Sequence, residues 1–294
     1  MKHLMTLLVL MVAVTAGAQF DTTSVGNKTF VTLVLEESTL ELDTFLLGDK
    51  SYVRVTGPFA LDSLVDSKAF YSIVAGETEA SSPFVCGTSS VTFDGHDYST
   101  VQIGDQCWFA ENLRTTEYAD GTNIPEVTDN SAWGGLSAGG RCSYDNDASN
   151  LETYGYLYNW YAVDDSRGLC PNGWHVPTDG EWMTLEMELG MSESEANSTG
   201  HRGTDQGTQM KSSASDTPSW NGSNTSGFSA LPGGLRDSGN GDFYNEGGSG
   251  FWWSASPSGL SGAWYRLLAS GIYNVYRANG YQRCGFSVRC VRDE

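Results

Sequence analysis

Six cysteines and three histidines beyond residue 18 hold much of the latent chemistry of this chain: Cys86, Cys107, Cys142, Cys170, Cys284 and Cys290, with His96, His175 and His201. Closely spaced Cys/His sets hold zinc, but no CxxC pair occurs and no histidine stands within such a set. An even cysteine count suits disulfides in an exported chain. Six cysteines permit fifteen pairings, and spacing does not choose among them. His175 lies between Trp174 and Val176, just ahead of a capped helix, and reads as a structural hydrogen-bonding residue. His96 follows Asp94-Gly95 and reads as a solvated turn residue.

Catalytic signatures fail one by one. Gly227-Phe228-Ser229-Ala230-Leu231 lacks the final glycine of a nucleophile elbow. There is no P-loop and no HExxH pair. Carboxylates are plentiful, yet nothing singles out the two that a glycosidase requires. Asp145-Asn146-Asp147-Ala148-Ser149 alternates oxygen ligands, but an EF-hand loop would need Glu where Tyr156 stands. Arg236-Asp237-Ser238-Gly239-Asn240-Gly241-Asp242 is a second oxygen-rich loop. Both read as solvated turns. We expect no catalytic residue, no metal site and no cofactor, a structural calcium ion being the one addition these loops could accept.

The positive signal is aromatic. Between Ser254 and Arg283, rings alternate with Arg and Asn. Flat rings supply contact area at low entropic cost, and polar neighbours orient a ligand. The candidate ligand-binding residues are Trp264, Arg266, Tyr273, Tyr276, Arg277, Asn279, Tyr281 and Arg283. Trp252, Trp253 and Phe286 are expected in the core.

Short elements must position these side chains. Thr178-Asp179-Gly180-Glu181 has capping-box spacing, Trp182, Leu185 and Leu189 follow on one helical face, and Gly190 is a stop. A second helix is expected from Thr153 to Val163, with Tyr154, Leu157, Tyr158 and Tyr161 along one side. Phe251–Ser254, Ala263–Leu268 and Gly285–Val291 read as strands, with turns at Gly271 and at Ala278-Asn279-Gly280. Upstream, residues 19–85 carry β-like runs, Thr29–Leu35 and Ser51–Val55, and end in a short linker, Glu77–Pro83. They suit a β-rich arm or small domain; all nine Trp and all six Cys lie in 86–294.

Residues 1–18 combine Lys2, an apolar run from Leu4 to Val14 and Ala16-Gly17-Ala18, the pattern of a secretory signal peptide cleaved after Ala18. No other run is long and apolar enough to span a membrane. With 16 basic against 36 acidic residues the net charge is −20, which repels nucleic acid and anionic membranes.

Several longer motifs recur in one order: Thr100-Val101-Gln102-Ile103-Gly104-Asp105-Gln106-Cys107-Trp108, Ala110–Arg114, Tyr154–Trp160 and Cys170-Pro171-Asn172-Gly173-Trp174-His175-Val176-Pro177-Thr178. Gly227–Gly234, Phe251–Ala255 and Gly285-Phe286-Ser287-Val288-Arg289-Cys290-Val291 complete the set. In order and spacing the chain resembles the Fibrobacter succinogenes major paralogous domain, found in exported bacterial proteins, from Cys86 to Asp293. It also resembles the retroelement-diversified variable proteins, whose ligand face lies between the last two motifs. The resemblance implies an α+β, C-type-lectin-like architecture of two helices and small antiparallel sheets. Under it, Cys170 pairs with Cys290, Cys86 with Cys107 across the hairpin containing Asp94-Gly95, and Cys142 with Cys284.

The expected function is that of a secreted or cell-surface, non-enzymatic binding or adhesion protein for a protein or glycan ligand. A structural subunit polymerising through 19–85 is the alternative, and a secreted carbohydrate-active enzyme the third reading.

Overall fold

The computed structural model describes residues 84–293 throughout and, ahead of them, the backbone of six strands between Gln19 and Val74. The expected signal peptide (1–18) and the linker Glu77–Pro83 lie outside the described residues. The chain divides into two units, Met1–Pro83 and Phe84–Glu294.

In the first unit, β1 (Gln19–Val25), β2 (Lys28–Leu35), β3 (Ser38–Leu47) and β4 (Lys50–Thr56) form an antiparallel meander in sequence order. Its register places Gln19 opposite Val34, Leu33 opposite Leu40 and Phe45 opposite Tyr52. Strands β5 (Ala60–Asp62) and β6 (Ser72–Val74) pair separately.

The second unit begins with β7 (Val91–Phe93), β8 (His96–Tyr98), β9 (Thr100–Ile103) and β10 (Gln106–Phe109). Then come α1 (Asn130–Gly134), β11 (Arg141–Cys142), α2 (Leu151–Tyr154), β12 (Leu157–Tyr158), α3 (Trp160–Val163) and β13 (Trp174–His175). The main helix α4 (Asp179–Glu188) is followed by α5 (Glu193–Ala196), β14 (Gly200–Arg202) and α6 (Gln206–Met210). The chain closes with β15 (Gly233–Arg236), β16 (Phe243–Glu246), β17 (Ser249–Ser258), β18 (Gly262–Ala269), β19 (Val275–Tyr281) and β20 (Val291–Arg292).

This is an α+β fold, but not the two-helix lectin-like arrangement. Six α-helices occur among the described residues, and none of the sheets closes. The largest sheet has six strands in the order β14-β19-β18-β17-β15-β16 and is mixed, because β15 runs parallel to β17 at Gly234 and Gly250. The helix expected over Thr153–Val163 is broken in two. Gly155 has φ 72°, where a Cβ would lie 2.6 Å from the Leu113 carbonyl oxygen. The next residues pair as β12 with β11, and Asn159 then caps α3 by accepting from the Ala162 N–H. The turn expected at Asn279-Gly280 is also absent: both residues lie within β19, opposite Trp264 and Ala263. Gly271, with φ 74°, does turn the chain between β18 and β19.

Helix α4 follows its sequence signals. Thr178 Oγ accepts from the Glu181 N–H, and Glu181 Oε2 accepts from the Thr178 N–H at 2.7 Å, completing the capping box. Trp182 and Leu185 bury one face of the helix against Trp108, Phe228 and Trp252. Strand periodicity sends Trp252 to this cluster and Trp253 to the opposite one, with Trp160 and Phe286. Both indole N–H groups find acceptors, Asn112 Oδ1 and the Tyr158 carbonyl, each at 2.9 Å. That removes the penalty of an unpaired buried donor.

Disulfides join Cys86 to Cys107 and Cys170 to Cys290. The expected third bridge is not made: Cys142 and Cys284 are free thiols. Cys142 is buried with Trp133, Tyr144 and Leu157, beside the Arg236 guanidinium, while Cys284 packs against the larger Phe286 cluster. Burial pushes the Cys142 thiol up to about 12, so it stays protonated.

Charge is sorted unexpectedly. Arg141, Arg202, Lys211, Arg236, Arg266, Arg277 and Arg289 are all buried, whereas the buried carboxylates are Asp179 and Glu186. Arg289 donates to the carbonyls of Phe228 and Ser229 and to Asn112 Oδ1, and burial pulls its pKa down to about 9. Lys211 Nζ donates to the carbonyls of Ala269 and Ile272. Arg114, Arg167, Arg283 and Arg292 are the basic side chains of this unit that reach solvent. Its surface is therefore more acidic than composition indicates.

Candidate functional site

The eight residues chosen from the aromatic interval do not form one face. Alternation along β18 and β19 puts Trp264, Arg266, Arg277 and Asn279 on one side and Tyr276 on the other. Arg266 is fully buried and Arg277 nearly so. Both point onto α4. Arg266 Nη1 is 2.7 Å from Asp179 Oδ1 and its Nε 2.6 Å from Glu186 Oε1; Arg277 Nη2 is 2.6 Å from Asp179 Oδ2. They are internal ion-pair residues, unable to meet a ligand, and their selection is corrected. Sequence showed Arg among aromatics but not the carboxylates across the fold.

Trp264 is half-buried, its ring under the Arg277 guanidinium at 4.0 Å. Tyr276 lies edge-on to the His201 ring at 4.8 Å. Tyr273 projects from the β18–β19 turn, and Asn279 Nδ2 donates to Ser258 Oγ at 3.1 Å. Tyr281 and Arg283 are brought together.

These two residues border a cleft of about 380 Å³ lined by Tyr161, Ser238, Gly239, Ser261, Gln282 and themselves. Four separate pieces of chain supply the lining. Tyr161 comes from the first turn of α3, Ser238 and Gly239 from the β15–β16 connection, Ser261 from the β17–β18 turn, and the rest from the chain leaving β19.

Backbone hydrogen bonds fix the arrangement. The Trp160 N–H donates to the Gln282 carbonyl at 2.8 Å, and the Gln282 N–H to the Ser261 carbonyl at 3.1 Å. Trp133 Nε1 donates to the Arg283 carbonyl at 2.8 Å, and Arg283 Nε to the Leu136 carbonyl at 2.9 Å. Asp237 Oδ1 accepts from the N–H groups of Gly239 and Asn240, holding their turn. Among the described residues neither terminal nitrogen of Arg283 has a protein acceptor, so a prepositioned guanidinium fork faces solvent.

Tyr161, Ser238, Gly239 and Ser261 escaped sequence reasoning. Tyr161 read as a helix-face residue, and the Ser238-Gly239 loop as a solvated turn. Its turn composition was a visible signal, but what it approaches depends on the β15–β16 pairing.

The histidines are engaged elsewhere. His175 Nε2 lies 2.6 Å from Glu181 Oε1 and its Nδ1 2.6 Å from Asp293 Oδ1. The Glu181 hydrogen bond leads in pushing its pKa up to about 9, joined by Asp293 against the opposing pull of burial. His96 Nε2 meets Glu111 Oε2 at 2.8 Å, and His201 Nδ1 meets Asn274 Oδ1 at 3.0 Å. No group of three or more His, Cys, Asp or Glu side chains suited to a metal ion converges among the described residues. Nor is any helix among them long and apolar enough to cross a membrane.

A second recess, of about 540 Å³, borders the Cys86–Cys107 bridge, with Phe84, Asp105, Glu181 and Arg292 in its wall. Its groups are largely committed: Arg292 covers the Phe84 ring at 4.3 Å, and Glu181 serves Thr178 and His175. The Tyr281–Arg283 cleft is the better candidate, with one exposed and one half-buried tyrosine ring, hydroxyls, an amide and a cation whose terminal nitrogens are uncommitted among the described residues. That set can bind a polar ligand.

The family model described as the Fibrobacter succinogenes major domain matches residues 101–292, most of the chain. No curated protein and no solved structure matches.

Proposed function

From the premise that the chain belongs to the Fibrobacter succinogenes major domain family, we propose that residues 84–293 are the recognition module of an exported, non-enzymatic binding protein. It takes a protein or glycan ligand at the cell exterior through the Tyr281–Arg283 cleft. One observation carries the reading. Tyr281 is 69% exposed and stands beside a guanidinium already anchored at Leu136, on a lining held by backbone hydrogen bonds. Tyr and Arg are enriched among binding hot spots, and a donor already held in place lowers the ordering cost of binding. Two disulfides suit an oxidising compartment, and the apolar run ahead of Ala18 suits export.

Glycan-array and cell-surface binding of the mature chain tests this. Tyr281→Ala should abolish binding without changing the melting temperature, while Tyr276→Ala, on the opposite side of β19, should leave it intact. Undiminished binding by Tyr281→Ala would reject the cleft.

A second reading, a structural subunit assembling through 19–85, draws on the four-stranded meander, whose order leaves β1 and β4 at the edges of that sheet. Edge strands can add a strand from another chain. Ordered oligomers that disappear on removal of 19–85 would favour it.

A further inference from the structure

We infer that the Tyr281–Arg283 cleft selects a sugar ring bearing a single carboxylate, of the hexuronic-acid class, at the end of a glycan. This deepens the recognition reading above and rests on it. The lining sorts into three chemistries. Tyr161 and Tyr281 offer flat apolar rings for the C–H face of a sugar, and Ser238, Ser261 and Gln282 offer hydroxyl and amide partners for ring hydroxyls. Arg283, anchored through Nε, keeps two terminal nitrogens for a carboxylate. The volume of about 380 Å³ is at the small end of ligand sites, suited to an end group rather than a long segment.

Electrostatics narrows the choice. No carboxylate lines the cleft. Among the other basic side chains that reach solvent, Arg114 is paired with Glu111 and Arg167 with Asp165, while Arg292 has Asp293 and Glu181 in its recess. The chain as a whole is strongly acidic, with net charge −20. Among the described solvent-facing cations, Arg283 is therefore the one in a cleft with no carboxylate in its lining, so a single anion is matched, while the further charges of a polyanion meet an acidic chain whose repulsion is screened only beyond the roughly 8 Å Debye length. One carboxylate on an otherwise neutral glycan satisfies both conditions.

A peptide carboxylate fits less well. Backbone N–H nests are the usual means of capturing it, and the N–H groups of Gly239 and Asn240 are already taken by Asp237.

The test uses the mature full-length chain and one oligosaccharide in two forms, ending in glucuronic acid or in its carboxyl-reduced glucose counterpart, with a C-terminal tripeptide as a third probe. Calorimetry should show the acidic form binding about ten- to a hundredfold more tightly, the range of a charge-assisted hydrogen bond. Arg283→Gln should erase that difference yet retain weak neutral binding, and Arg283→Lys should restore part of it. Equal binding of the two sugars by the wild type overturns the carboxylate inference and leaves the recognition cleft standing. Preference for the tripeptide overturns the inference in favour of a peptide ligand. Failure of every probe, together with array binding indifferent to Tyr281→Ala, overturns both readings.

Discussion

Asp179 grips Arg277 with both carboxylate oxygens, Oδ1 at 3.0 Å from Nε and Oδ2 at 2.6 Å from Nη2, across 98 residues of sequence. The same carboxylate takes Arg266 Nη1 at 2.7 Å. Two helical turns along the same face, Glu186 takes Arg266 Nε at 2.6 Å and Arg202 Nη2 at 2.8 Å. Helix α4 is thus tied to β14, β18 and β19 by a chain of buried ions. Burial alone would raise the Asp179 pKa, but Arg277 and Arg266 outweigh it and hold the carboxyl below its usual value.

Asp179→Asn should destabilise the second unit by about 3–5 kcal/mol, because it leaves two buried guanidiniums short of countercharge. Urea denaturation of the wild type and the variant measures it. A change below about 1 kcal/mol would show that the network contributes little. Because the folded pKa is depressed, this contribution is present above the unfolded value of about 4 and is lost as pH falls below it.

His175 should give the opposite pH dependence. Its folded pKa of about 9 exceeds the unfolded value of about 6.5, so the native state binds more protons between them. The contribution is complete below pH ~6.5 and disappears as pH rises through about 9. The pairs are partly exposed, which keeps the effect near 1 kcal/mol or less. His175→Gln should flatten the decline in melting temperature over that interval. An unchanged slope would locate it in other groups.

Thiol accounting follows from the bonding pattern. Without reductant, the native protein should resist alkylation at buried Cys142, and denaturation should release two reactive thiols, Cys142 and Cys284. Peptide mapping that found Cys142 joined to Cys284 would contradict this. Replacing Cys170 and Cys290 by serine, a separation of 120 residues, should cost roughly 5 kcal/mol, against roughly 3 for Cys86 and Cys107 in the loop-entropy account.

Gly155→Ala should destabilise by about 2 kcal/mol or more, combining the strain of a φ 72°, ψ −170° backbone, a region essentially reserved for glycine, with a Cβ clash on the Leu113 carbonyl. Gly173→Ala, at a second positive-φ glycine, is the comparison. Gly173 has φ 82° but nothing within 4 Å of the added Cβ, so backbone strain alone, about 1 kcal/mol, should remain. Equal losses from the two would argue against the close approach at Gly155.

Local chemistry was legible from sequence alone. The α4 capping box, the Asp94-Gly95 hairpin, the turn at Gly271 and the core roles of Trp252, Trp253 and Phe286 each depend on residues a few positions apart or on simple alternation. The family motifs belong with these, since they are strings of adjacent residues. Tertiary structure decided the rest. It broke the second helix at Gly155, where the Tyr156 N–H donates to the Leu113 carbonyl at 3.1 Å instead of extending the helix. It left Cys142 and Cys284 apart in separate clusters. It turned Arg266 and Arg277 inward, because Asp179 and Glu186 stand on a helix about 80 to 100 residues away. The cleft itself draws Tyr161, Ser238 and Ser261 to Tyr281 and Arg283 by pairing distant strands. One-dimensional spacing reports what neighbours along the chain can do, whereas burial and ion pairing depend on which strand lies opposite which helix.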